Sequence, residues 1–137
     1  EDFEVSSQAD RMGYRLKGKE IEHKNGADII SDGIAPGSIQ VSGDGKAIIM
    51  LADRQTTGGY TKIATVISND LDILSQKKPG DLITFSKVSL KKAHNLIKER
   101  EDIYKKLESK KEELSSTKRY KIRVEGKEYD VELREIL

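Results

Sequence analysis

The chain has 137 residues, of which 35% are apolar and 36% charged, with a net charge of +1. These values fit one globular domain and exclude the unbalanced basic surface typical of proteins that bind nucleic acids or anionic lipids. The absence of cysteine excludes disulfides, thiolate metal sites and a cysteine nucleophile. We find no apolar run near the roughly 20 residues of a membrane span and no signal peptide, and expect a cytoplasmic protein. Because the first residue is Glu1, we expect the chain to be a piece of a longer protein.

Strands are predicted over residues 3–6, 11–17, 38–42, 60–67 and 82–88, and the second and third of these alternate between apolar and polar residues. Residues 62–67 would also tolerate a helical turn. The run 47–52 is apolar at every position and short, which predicts a strand buried on both faces. Gly43-Asp44-Gly45 predicts a hairpin turn before it. A short helix is predicted over residues 71–76, capped by Asn69-Asp70 and stopped by Pro79-Gly80-Asp81.

The segment after residue 85 has a different composition. It holds one of the 11 glycines, no proline, and 26 charged residues in 52 positions, which favours helix. From Ser89, a plausible N-cap, an apolar stripe predicts a helix of about 26 residues and roughly 39 Å. A helix of that length is expected to project or to pack on another chain. Alternation over residues 120–133 around Gly126-Lys127 predicts a final hairpin.

Three polar segments are candidates for a site. In residues 51–60, an apolar strand is followed by an aspartate, an arginine, an amide and two hydroxyls before Gly58-Gly59. Glycines allow close backbone approach to a ligand, Arg54 could grip a carboxylate or phosphate, and Asp53 could accept a substrate N–H. The alternative is a wide hairpin turn that satisfies its own backbone. Residues 31–40 predict a loop with a rigid Pro-Gly corner, followed by Ser38 and Gln40 on one strand face.

The third segment, residues 10–14, pairs an acid with a base beside a glycine. Other chemical motifs are absent: there is no phosphate-binding loop and no nucleophile elbow. His23 and His94 stand apart without suitably spaced carboxylates, so we expect no metal site. Basic and acidic residues interleave in the tail, which makes nucleic-acid binding a weak hypothesis.

Taken in order, these motifs resemble a known family. Asp10-Arg-Met-Gly-Tyr-Arg-Leu, Ser31-Asp-Gly-Ile-x-Pro-Gly-Ser-Ile-Gln-Val and Leu51-Ala-Asp-Arg-Gln-Thr-Thr-Gly-Gly-Tyr, with Lys62-Ile-Ala-Thr-Val-Ile and Pro79-Gly-Asp, are similar to the C-terminal half of biotin-dependent carboxyltransferase domains. That family is also known as allophanate hydrolase subunit 2, KipA, or the C subunit of bacterial 5-oxoprolinase. The likeness covers roughly residues 3–90.

The resemblance implies a cyclophilin-like β-barrel or sub-barrel over residues 1–88. With the patterns described above, we expect a mainly β protein in which this barrel is followed by a long charged helix or linker over 89–117 and a β-hairpin over 118–137. The hairpin is similar to the start of a biotinyl carrier domain but lacks the Met-Lys-Met attachment motif. Since the family's domain is about twice as long, we expect this chain to be inactive alone.

The resemblance also implies a function. It points to a carboxyltransferase or 5-oxoprolinase subunit that acts with a KipI-type partner (allophanate hydrolase subunit 1) on a small amide- or urea-like substrate. Biotin or ATP would act through partner subunits, with no cofactor bound by this chain. The alternative is a non-catalytic regulator that binds a KipI-type kinase inhibitor through the long helix and hairpin; self-association through that helix is also open.

Carried over by motif, the implied site has twelve residues. Asp53, Tyr60 and Lys62 are implied to be catalytic, with proton transfer or oxyanion stabilisation assigned to Tyr60 or Lys62. The implied substrate-binding residues are Arg11, Asp32, Ser38, Gln40, Arg54, Gln55, Thr56, Gly58 and Gly59. All of these residues are expected to share one cleft.

Overall fold

The structure is a computed structural model that describes residues 2–114 and 118–133. Contacts divide the chain into two compact units, Glu1–His94 and Asn95–Leu137. The first unit contains one sheet and a short helix. Its elements are β1 (Asp2–Val5), β2 (Gly13–Lys17), β3 (Asp28–Gly33), β4 (Ser38–Val41), β5 (Ala47–Met50), β6 (Thr57–Thr65), α1 (Ser68–Leu74) and β7 (Leu82–Thr84).

The seven strands form one antiparallel sheet in the order β3-β6-β4-β5-β2-β1-β7. β4 and β5 lie near its centre and are buried at every position. The prediction of a strand buried on both faces is therefore confirmed for Ala47–Met50. Within the described ranges, the edge strands β3 and β7 do not pair with each other, so closure into a barrel stays a prediction.

Both faces of the sheet carry apolar residues. One face holds the larger core, formed by Val5, Tyr14, Leu16, Ile39, Ala47, Ile49 and Leu74. The other face holds a smaller cluster of Ile34, Ile48 and Met50. Because successive residues of a strand point to opposite faces, Ile49 lies in the first cluster while Ile48 and Met50 lie in the second. The central strands are thus buried from both sides.

The turn before β4 depends on one glycine, which lies against the segment that leads into α1. Gly37 has φ +80°, and a Cβ there would lie 2.9 Å from the carbonyl oxygen of Val66. Only glycine fits this position without strain. The helix α1 begins after Ile67, which makes no side-chain cap bond. The predicted cap at Asn69-Asp70 is therefore wrong, because both residues lie inside the helix.

β3 was not predicted, since residues 31–37 read as a loop. The strand is an edge strand, exposed at every residue, and Ile30 is 95% exposed. Its sequence, Asp-Ile-Ile-Ser-Asp-Gly, does not alternate between apolar and polar residues, so the pattern predicts no strand there. The strand exists because it pairs with β6, placing Gly33 opposite Thr57. β6 consequently begins three residues before the predicted strand at 60–67.

The long helix α2 (Leu90–Leu114) has 25 residues, close to the predicted length. The hydroxyl of Ser89 accepts a hydrogen bond from the N–H of Lys92 at 3.2 Å, which confirms the predicted cap. Ile103, Tyr104 and Leu107 are more than half exposed. Among the described residues, no helix has the length and apolar character needed to cross a membrane.

The hairpin consists of β8 (Lys118–Val124) and β9 (Lys127–Leu133), as predicted. Glu125 and Gly126 turn the chain with φ values of 50° and 81°. Tyr120 lies opposite Val131 and Ile122 opposite Tyr129, which puts their side chains on one apolar face. Residues 115–117 and 134–137 of the predicted linker and hairpin segments lie outside the described residues.

The turn between β4 and β5 is expected to make the stability of the fold depend on pH. Hydrogen bonds from Lys46 and Ser42 hold the pKa of Asp44 well below its ordinary value of 3.8. A carboxyl with a lowered pKa in the folded state stabilises the fold above pH 3.8, and that contribution is lost as the pH falls below it.

We therefore expect Asp44→Asn to be less stable than the unmodified chain at pH 7, with a difference that shrinks between pH 4 and pH 2. Urea unfolding followed by circular dichroism at several pH values measures this. Lys46→Gln removes the largest cause of the shift and should flatten the same part of the profile. A constant difference between the curves would contradict the assignment.

Candidate functional site

Polar side chains form a row across one face of the sheet. Arg15 of β2 lies opposite Ile48 of β5, Ile48 lies opposite Gln40 of β4, and Gln40 lies opposite Lys62 of β6. Residues directly opposite in antiparallel strands point to the same face. Tyr60, two residues before Lys62, belongs to this face by the strand period. The row lies on the side of the smaller apolar cluster.

A cavity of about 150 Å³ opens on this face. It is smaller than the about 300–1,000 Å³ typical of pockets for drug-sized ligands. Of the twelve predicted site residues, Gln40, Gln55 and Tyr60 line it. The other lining residues are Gln8, Asp10, Met12, Gly13, Arg15, Ile48 and Met50.

Two carboxamides meet beside Gly58. Gln40 is only 1% exposed, and its Nε2 donates to the carbonyl oxygen of Tyr60 at 3.4 Å. A Cβ added at Gly58 would lie 3.4 Å from Gln40 Nε2 and 3.7 Å from Gln55 Nε2. It would also lie 2.7 Å from Cδ1 of Ile34. Because Gly58 has no side chain, the two amides and Ile34 can lie close to the backbone of β6.

Arg11 and Asp53 form an ion pair with an Nε–Oδ2 distance of 3.3 Å, and the side chain of Arg11 is 90% exposed. The N–H of Asp53 also donates to the carbonyl oxygen of Arg11 at 3.1 Å. The first and third motifs are thus adjacent, as expected. Neither residue lines the cavity. Their contact joins the turn before β2 to the turn after β5.

Asp32 and Lys62 form a second pair, with 2.6 Å between Nζ and Oδ2. Lys62 Nζ also donates to the carbonyl oxygen of Gly33 at 2.9 Å. The hydrogen bond from Lys62, and secondly that from the Gly33 N–H, hold the pKa of Asp32 below its ordinary value. The pair ties β3 to β6 beside the cavity but does not line it.

Arg54 is committed to the backbone. Its Nε donates to the carbonyl oxygen of Ile34 at 2.9 Å, and its Nη1 lies 3.4 Å from the carbonyl oxygens of Leu51 and Ala52. These bonds hold the loop before β4 against the loop after β5. The alternative reading of residues 51–60, a turn that satisfies backbone groups, describes this arginine.

The remaining predicted residues support the loops. Ser38 is 3% exposed at the start of β4, and the carbonyl oxygen of Thr56 accepts the N–H of Ile34 at 2.9 Å. Gly59 faces the backbone of β3, since a Cβ there would lie 3.4 Å from the carbonyl oxygen of Ile29. The expected single cleft for all twelve residues is thus divided: three line the cavity and nine lie outside its lining.

Sequence reasoning did not select Gln8 or Arg15. Arg15 alternates with the core residues Tyr14 and Leu16, a signal that places it on the opposite face. Gln40 is also a polar residue within a buried strand. The alternation around Arg15 could therefore have indicated that Arg15 belongs to a polar face of the same sheet. Among the described residues, no group of three or more histidines, aspartates or glutamates is placed to hold a metal ion.

Comparison with known proteins identifies relatives of this chain. The sequence profile described as "Carboxyltransferase domain, subdomain A and B" matches residues 1–87. The C subunit of 5-oxoprolinase from Haemophilus influenzae is 45% identical over 100 residues, which are 73% of this chain and 32% of that protein. Its Escherichia coli counterpart, also a 5-oxoprolinase C subunit, is 40% identical over 100 residues, covering 73% and 31%. The chain spans about a third of the length of these relatives.

Two proteins of known structure are similar in fold. Crystal structures of TTHA0988 are 37% identical with a TM-score of 0.58, covering 64% of this chain and 17% of that one. The urea amidolyase of K. lactis is 24% identical with a TM-score of 0.67, covering 74% and 7%. At that identity, the amidolyase supports the fold alone.

Proposed function

Since this chain belongs to the family of carboxyltransferase domains, subdomains A and B, we propose that it contributes a substrate pocket to a subunit of an amide-hydrolysing complex. The family membership predicted from the three motifs is confirmed. The relatives named as C subunits of 5-oxoprolinase support 5-oxoproline, a small cyclic amide, as the proposed substrate.

The observation that carries the proposal is the pair of carboxamides in the cavity. A glutamine side chain offers an N–H donor and a C=O acceptor side by side. A cyclic amide offers the same pair in complementary order, so two reciprocal hydrogen bonds can form. Gln40 already donates one Nε2 hydrogen to the carbonyl oxygen of Tyr60, which leaves its second N–H and its carbonyl oxygen for the ligand. Ile48 and Met50 provide an apolar floor for the methylene groups of a ring.

Tyr60 is the proposed catalytic residue that lines the cavity. Its hydroxyl can donate to the oxygen on which negative charge develops when the amide carbonyl is attacked. Asp53 and Lys62 hold ion pairs with Arg11 and Asp32, and their predicted catalytic roles stay predictions. We propose that biotin or ATP acts through partner subunits and that this chain binds neither.

The partner is a further part of the proposal. The relatives are named as subunits, which supports an assembly with other chains, and we propose a KipI-type protein among them. A role as a non-catalytic regulator is the second candidate. The half-exposed Ile103, Tyr104 and Leu107 of α2 favour it, since such a surface suits a protein partner.

The test is removal of a single hydroxyl. In the complex with its partner subunits, we expect Tyr60→Phe to lower the turnover of 5-oxoproline about tenfold, the typical cost of one hydrogen bond to a charged group. Tyr104→Phe on α2 makes the same chemical change and should leave turnover unchanged.

The outcomes separate the two candidates. Equal turnover in both variants would remove Tyr60 from the site. A complex that forms but neither binds nor turns over 5-oxoproline or urea would overturn the enzymatic proposal and favour the regulator.

A further inference from the structure

We propose that Arg15 binds a carboxylate of the substrate, so that the pocket selects small amides that carry a negative charge. This inference rests on the proposed function, because it assigns a second contact to the same ligand. It assigns to Arg15 the contact with a carboxylate that the sequence suggested for Arg54.

Arg15 lines two neighbouring cavities. Arg15 supplies the cationic side chain in the lining of the 150 Å³ cavity. It also lines a neighbouring cavity of about 250 Å³, together with Lys17, Asp44 and Lys46. Gln8 is the other residue common to both linings. Arg15 therefore stands at the boundary between the amide pocket and a more strongly charged surface.

The other cationic side chains near the two cavities already have partners. Lys17 pairs with Glu4 at 2.8 Å, and Lys46 pairs with Asp44 at 2.7 Å. Arg11 pairs with Asp53, and Arg54 donates to backbone carbonyls. The guanidinium of Arg15 has no ion pair or hydrogen bond to the residues that the structure describes. A planar guanidinium that faces a cavity without a partner is suited to bidentate binding of a carboxylate.

Asp10 is the acidic residue in the same lining. Its Oδ1 accepts hydrogen bonds from the backbone N–H groups of Met12 and Gly13 at 2.8 and 3.1 Å. The carboxylate is thus used by its own turn, and it forms no ion pair with Arg15. The two charges balance, so Arg15 acts by orienting a ligand rather than by attracting anions from a distance.

The positions of Arg15 and Gln40 in the sheet set the distance between their backbones. Arg15 and Gln40 flank Ile48 on adjacent strands. Two strand spacings separate their backbones by roughly 9.6 Å. Both side chains point to the same face and both line the cavity. 5-Oxoproline carries its carboxylate on the carbon next to the ring nitrogen, so its amide can reach Gln40 while the carboxylate reaches Arg15.

The experiment compares two ligands that differ in charge and little in size: 5-oxoproline and its neutral carboxamide. Isothermal titration calorimetry measures their binding to the full chain with Arg15 and with Arg15→Gln. We expect the unmodified chain to prefer 5-oxoproline by about tenfold or more and the variant to lose that preference. Arg15→Lys, which keeps the charge without the planar fork, should retain part of it.

Arg119→Gln is the matched control, because it removes an exposed arginine from the hairpin, where it pairs with Glu132. It should bind both ligands as the unmodified chain does. Binding of both ligands by the unmodified chain with equal affinity, or a preference that survives in Arg15→Gln, would overturn the role of Arg15 and leave the amide pocket standing. Failure of the unmodified chain to bind either ligand would overturn the pocket itself, and this inference with it.

Discussion

Replacing Ile49 by alanine is expected to lower the free energy of unfolding by about 2–5 kcal/mol. Ile49 is fully buried in β5 and faces Tyr14 on one side and Ile39 on the other. Deleting its side chain removes apolar contacts and leaves a cavity at the centre of the larger core. Because small domains are typically stable by only about 5–15 kcal/mol, the loss is a large fraction of the total. Urea unfolding at pH 7 measures it.

Ile63 offers a matched control. It is the same residue type in the same sheet, but it is 51% exposed at the irregularity between β4 and β6. Its replacement by alanine should cost less than about 1 kcal/mol. If both variants lost equal stability, β5 would not be the centre of the fold.

The sequence predicted the elements whose apolar residues follow a regular pattern. Alternation identified the hairpin of β8 and β9, and an unbroken apolar run identified β5. β3 carries no such signal, because its sequence Asp28-Ile-Ile-Ser-Asp-Gly33 neither alternates nor contains a long apolar run. Its existence depends on pairing with β6, which is a contact between residues about 30 positions apart. A local pattern cannot report such a contact.

The site was harder to predict for a related reason. Motif residues such as Asp53 and Arg54 are polar and lie in a turn, which suits both ligand binding and loop closure. The structure uses Arg54 for loop closure, through its bonds to backbone carbonyls. Gln40 could be found from sequence because a polar residue inside a buried strand needs a reason. Alternation places Arg15 on the face opposite Tyr14 and Leu16, but its position near Gln40 depends on which strands neighbour β2.

Gly58→Ala is expected to damage the pocket directly. The added Cβ would lie 2.7 Å from Cδ1 of Ile34, closer than carbon atoms can approach, and in contact with the amide of Gln40. Ile34 is 4% exposed and packs with Ile48 and Met50 under the cavity, so it cannot move freely. Overpacking of this kind typically costs about 1–3 kcal/mol. We expect that loss in urea unfolding, and about tenfold weaker binding of 5-oxoproline because the two amides are displaced.

A second substitution tests the cause. Ile34→Val deletes the very atom that the new methyl group would strike, at a cost of about 0.5–1.5 kcal/mol alone. In the double variant the clash is gone, so its loss of stability should be smaller than the sum of the two single losses, by about 1 kcal/mol or more. Affinity for 5-oxoproline should recover in parallel. Gly43→Ala, where an added Cβ meets only the side chain of Ala27 at 4.0 Å, should change neither quantity. Additive losses would show that Gly58 is needed for its backbone conformation, and the placement of Gln40 and Gln55 by close packing would then be wrong.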